Sequence, residues 1–187
     1  MKHIIKYSIY ISLLIQIITT AISLDGLNYS LTEKDKILQD ILKLEAFVQF
    51  VETGFYIWVI YSIMELKKVT SRRYLDWFIT TPTMLISTII FMEYSKQTEQ
   101  NKTINFWEFL KDHKNNIYKI ILLNYGMLIF GLLGELEYYD KYLMIFIGFI
   151  FFYYLFRFIY IEYARYSKIS MKLFYFLVVV WGLYGFA

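Results

Sequence analysis

Six apolar runs, at 4–24, 41–64, 74–92, 117–134, 142–161 and 173–187, alternate with polar, charged stretches along the 187 residues. Most approach the ~20 residues a helix needs to cross a hydrocarbon core. The pattern predicts an all-α membrane protein, with one transmembrane domain over 1–187. A secretory signal is the competing reading of the first run, since Lys2 and Lys6 precede it and AIS ends it. Its apolar core is long for a signal, and five further runs follow, so a span is preferred. Segment 95–116 is polar but clusters Phe106, Trp107, Phe109 and Leu110. It predicts a loop with a short interfacial helix.

Composition narrows the function classes. The chain has no Cys, which excludes a disulfide-built module and a cysteine-ligated metal site. His3 and His113 are its only histidines and stand far apart, leaving little material for a metal centre or a hydrolytic triad. No metal and no enzymatic activity are expected. Apolar residues make up 58%, which excludes disorder. A net charge of +3, spread along the chain, gives nucleic acid no footprint. The expected partner is the lipid bilayer.

The basic residues set an orientation. Lys2, Lys6, Lys67, Lys68, Arg72, Arg73 and Lys141 fall on the side of the N-terminus, and the other twelve of nineteen fall opposite. The N-terminus is therefore expected outside. The last run is unusual. LFYFLVVVWGLYGFA covers about 22 Å as a helix, short of the ~30 Å core, and no polar residue closes it. The sixth span is thus expected to be incomplete and the chain truncated.

Span 3 carries the chemistry. It reads RRYLDWFITTPTMLISTIIFMEY, and a carboxylate inside a span is a functional hypothesis by default. At 100° per residue, Arg73, Asp76, Thr80 and Ser87 fall within about 60° of one another. Arg73 is close enough to hold Asp76 ionised, and Thr80 can donate a hydrogen bond to it. Trp77 and Thr81 form a second face. Pro82, the single proline, is expected to kink the span. The plainer alternative is an Arg–Asp pair that only stabilises a bundle.

RYLDWFITTP resembles the third helix of microbial (type 1) rhodopsins, whose pattern is R-Y-x-D-W-x-x-T-T-P. The resemblance implies a seven-helix rhodopsin bundle, of which six helices are present. It implies all-trans retinal as cofactor, with Asp76 as counterion and proton acceptor of the protonated Schiff base. Arg73 and Thr80 would complete the counterion network. Trp77 and Thr81 would line the retinal chain. The resemblance continues in NYGMLIFGLLG, which gives Met127 and Gly131 pocket roles. It extends to Gly148 and Phe152 in span 5 and to Trp181 and Tyr184 in VVVWGLYG. Read singly, these are ordinary packing residues. QIITTAISL, LKLEAFVQFVE and TTPTMLISTIIFMEY look most like the rhodopsins of giant viruses, which would place the protein in a host cell membrane. Family members are often trimers or pentamers, so a homo-oligomer is compatible. The retinal lysine belongs to a seventh helix and has no counterpart here: Lys119, Lys141 and Lys172 all fall at span edges.

The transport mode is read from two further places. Outward proton pumps of this family usually carry a carboxylic acid eleven residues after the counterion. Ser87 occupies that position and cannot serve as a donor with a useful pKa. Span 2 places Glu45, Gln49 and Glu52 on one face, and span 1 offers Gln16 and Thr19. Such faces predict a path for transported cations; the alternative is interhelical hydrogen bonding as glue. The expectation is a light-gated cation channel. A light-driven proton pump, a sensory photoreceptor and a non-photoactive relative are the alternatives.

Overall fold

The structure, a computed structural model, describes residues 2–61 and 69–186, with side chains described over 7–61 and 73–184. In chain order the helices are α1 (Lys2–Gly26), α2 (Lys36–Tyr61), α3 (Val69–Glu99), α4 (Phe106–Asp112), α5 (Lys114–Glu135), α6 (Lys141–Glu162) and α7 (Lys168–Phe186). A 3₁₀ turn at Ala164–Tyr166 joins the last two. No strand occurs among the described residues. Over its described residues each apolar run thus forms one long helix, and the expected short helix in 95–116 is α4. The last three residues of the second run, Lys67 and Lys68, the Arg72 side chain and Ala187 lie outside the described residues.

Four helical stretches are long and apolar enough to cross a membrane by length and composition: Tyr7–Gly26, Arg73–Glu99, Lys114–Glu135 and Lys141–Tyr166. α2 is not among them, because Glu45, Gln49 and Glu52 dilute its apolar run. Nor is α7, whose side chains are described only to Tyr184. α3 extends beyond both ends of the expected 74–92 and continues through Pro82. It stops where Asn101 turns to φ 55°, with Lys102 N bonding Gln97 O and Asn101 N bonding Thr98 O. These are the paired bonds of a left-handed helix stop, which asparagine tolerates. Helix starts are equally local. The Asn105 side chain accepts from Trp107 N and Glu108 N to open α4, and Asp140 accepts from Leu143 N to open α6.

The chain divides into two compact units, 1–84 and 85–187. In the first, α1 and α2 pack as an antiparallel hairpin. Gln39 Nε2 ties the connection by donating to the carbonyls of Leu27 and Tyr29. Gly26 admits the Leu42 side chain so closely that a Cβ there would sit 2.8 Å from it. Ile37, Ala46, Val48 and Val59 are buried.

In the second unit α5 packs on α6 through small residues. A Cβ on Gly126 would overlap the Phe151 ring, and one on Gly134 would lie 3.1 Å from Met144 Cβ. Glycines at such points let helix backbones approach where lipid supplies no hydrophobic drive. Phe130 stacks on Phe151 at 5.5 Å beside them. Leu85, Ile89, Ile90, Met92, Ile120, Leu155 and Ile159 form the core. Ser170 Oγ donates to Met92 O at 3.2 Å and Ser167 Oγ to Glu99 at 2.8 Å, fixing the start of α7 to the end of α3.

Candidate functional site

The first unit holds Arg73, Asp76, Trp77, Thr80 and Thr81 on α3. Asp76 is buried, at 8% exposure, and its Oδ1 has no hydrogen-bond partner. Arg73, less than a turn earlier, is exposed, and its charge acts on the carboxyl. The Thr80 hydroxyl is also buried, but it donates to the main-chain carbonyl of Asp76 at 3.0 Å rather than to the carboxylate. Thr81 does the same to Trp77 O at 2.6 Å. A helical threonine reaches the carbonyl four residues back with little side-chain rearrangement, and this local bond outcompetes the expected one. The Asp76 oxygen is left as an acceptor in search of a donor.

The same unit holds the polar faces of α1 and α2. Gln16 Nε2 donates to Glu52 Oε2 at 2.7 Å. Thr19 Oγ1 donates to Gln49 Oε1 at 2.7 Å, and the Thr20 and Thr53 hydroxyls meet at 3.1 Å. Gln16, Gln49 and Glu52 are thus brought into one partly buried seam. Glu52 lies within the electrostatic reach of Asp76 and of Glu45. Thr20 and Thr53 were not singled out in the sequence; their signal is the spacing, since Thr20 follows Gln16 by four residues and Thr53 follows Gln49 by four.

The second unit holds Ser87 and the expected retinal-ring residues. Ser87 is buried, at 1% exposure. A Cβ on Gly148 would lie 3.7 Å from Met127 O, so these two positions face each other across α5 and α6. Phe152 packs on Phe156 at 4.5 Å, and Phe156 meets the Trp181 ring edge-on at 5.7 Å. Phe156 therefore links two expected pocket residues, a position the sequence reading missed although it follows Phe152 by one turn. Gly131 is half-buried on α5 and Tyr184 is exposed on α7. A polar cluster was missed as well. Buried Glu93 accepts from Lys96 at 3.0 Å and Gln97 at 2.6 Å, and Tyr163 OH meets His113 Nδ1 at 3.0 Å and Asn116 Nδ2 at 3.2 Å.

Retinal needs a counterion, an apolar wall and a lysine. The buried, unpartnered Asp76 oxygen fits the first, because a buried acceptor of this kind calls for a donor. The Met127–Gly148 contact and the Phe152–Phe156–Trp181 series fit the second. The described lysines do not fit the third. Lys119 Nζ sits 4.3 Å over the Phe158 ring, Lys141 opens α6, and Lys172 lies in the second turn of α7.

Comparison with known proteins gives the family and the fold. The family model of bacteriorhodopsin-like proteins matches residues 7–187. Among solved structures, the crystal structure of the viral rhodopsin OLPVRII is similar, with a TM-score of 0.81 and 27% identity. The match covers 97% of this chain and 81% of that one. No curated protein sequence matches.

Proposed function

Because the chain belongs to the bacteriorhodopsin-like family, we propose that it builds the counterion, pocket wall and ion path of a retinal-binding, light-gated cation channel. It is an integral, multi-pass membrane protein. We place α2 and α7 among its spans, the N-terminus outside, and the viral-rhodopsin likeness in favour of a host cell membrane. The observation that carries the channel reading is the seam in which Glu52, bonded to Gln16, sits among amide and hydroxyl oxygens within the field of Asp76.

Bound retinal would supply the light-driven change of shape and a proton for a carboxylate to take. Asp76 would hold such a proton on its buried Oδ1, which has no hydrogen-bond partner. Arg73 supplies the compensating positive charge. Thr80 satisfies its own turn of the helix and so leaves the carboxylate to its ligand. Glu52 and Glu45 offer a passing cation negative charge, while Gln49, Thr19, Thr20 and Thr53 offer oxygens in place of lost water. Ser87 has no acidic proton at neutral pH, which speaks against a fast outward pump.

Photocurrents in a retinal-supplied cell test the reading, using protein that carries a lysine-bearing seventh helix. A current that reverses with the cation gradient supports a channel. A unidirectional current against the gradient would make the protein a proton pump. Silence with an intact photocycle would make it a sensor.

A further inference from the structure

Arg157 interrupts the apolar run of α6, five residues before the helix ends at Glu162, or about 7.5 Å by helical rise. A cation in such a run is costly unless an anion or water meets it. Arg157 is exposed and makes no ion pair or hydrogen bond with another described residue. Neighbouring cations are engaged: Lys119 lies over the Phe158 ring, and Arg165 donates to Tyr166 OH at 2.9 Å.

The Arg157 side chain lines a groove of about 420 Å³ between α6 and α7. The α6 wall follows helical spacing, with Phe152, Phe156 and Tyr160 at intervals of four. Phe156 and Phe174 are buried and form its floor, with ring centroids 6.2 Å apart; Tyr160 meets Phe174 at 5.4 Å. Val178 continues the α7 side. Arg157 is the charged residue in an otherwise aromatic and aliphatic lining.

We propose that this groove is a binding site for an anionic phospholipid, with one acyl chain along the aromatic floor and the phosphate on Arg157. A guanidinium matches phosphate oxygens in a two-bond fork. The lipid's net negative charge supplies what Arg157 lacks, whereas a zwitterionic lipid brings its own cation. Phe152 and Phe156 are shared with the proposed retinal wall, so the test reads lipid retention rather than absorption.

The test is native mass spectrometry of the chain extracted from nanodiscs of equal phosphatidylglycerol and phosphatidylcholine. The chain should retain phosphatidylglycerol about fivefold over phosphatidylcholine, the effect of one basic residue at a lipid surface. Arg157→Gln should bring the ratio to unity, and Arg157→Lys should leave part of the preference. Val178→Trp fills the groove while sparing Arg157, and should lower retention of both lipids. Equal retention by the unmodified chain overturns the proposal, as does an unchanged preference in Arg157→Gln or unchanged retention in Val178→Trp. Displacement of the phospholipid by equimolar oleate would also overturn it, in favour of a free fatty acid.

Discussion

Gln16 and Glu52, 36 residues apart, are joined by a 2.7 Å hydrogen bond across α1 and α2. A carboxylate on a membrane helix is costly unless it is paired or wetted, and here an amide N–H meets it. Glu52→Gln should change cation conductance while leaving the absorption spectrum in place. Unaltered currents would assign the seam to helix pairing alone. A double-mutant cycle with Gln16→Leu separates the structural share, expected to be about 0.6 kcal/mol and at most about 2.

The α5–α6 contact depends on the missing side chain at Gly126. Gly126→Ala should destabilise the protein by about 1–3 kcal/mol, because the added methyl overlaps the Phe151 ring. Phe151→Leu should recover part of the loss in the double variant. Gly54 has nothing within 4 Å of an added Cβ, so Gly54→Ala should be neutral or stabilise by about 0.5–1 kcal/mol through helix propensity. Thermal denaturation of the pair in one detergent checks both signs.

Tyr163 is buried, at 1% exposure, and its hydroxyl joins α6 to His113 and Asn116. Tyr163→Phe keeps the ring, which lies 6.4 Å from Phe109, and removes the shared hydroxyl. The loss should be about 1–3 kcal/mol, because both polar partners lose a partly buried bond. Chemical denaturation would measure it; an unchanged midpoint would mean that water replaces the hydroxyl.

Much of this was legible in the sequence, for stated reasons. Six apolar runs gave six long helices because bilayer thickness and helical rise together fix run length. RYLDWFITTP marked Asp76 because a carboxylate in an apolar run stands out. Thr80 was less legible: its four-residue spacing from Asp76 was correct, but spacing does not reveal whether a hydroxyl takes the carboxylate or the carbonyl of that residue. Phe156 and Gly126 were hidden because any apolar residue fits a span, and only packing distinguishes them. Glu93, Lys96 and Gln97 had readable helical spacing, yet their burial depends on neighbours distant in sequence. Arg157 stands out as a charge in an apolar run, but the groove beside it depends on α7 residues distant along the chain.

Asp76, a buried carboxyl with an unpartnered oxygen, is the residue on which the proposed photochemistry turns. The direct measurement is the absorption maximum of the retinal-reconstituted protein, supplied with its lysine-bearing seventh helix, against that of Asp76→Asn. Removing the negative charge beside a protonated Schiff base should shift the maximum to longer wavelength. An unchanged maximum would contradict the counterion assignment.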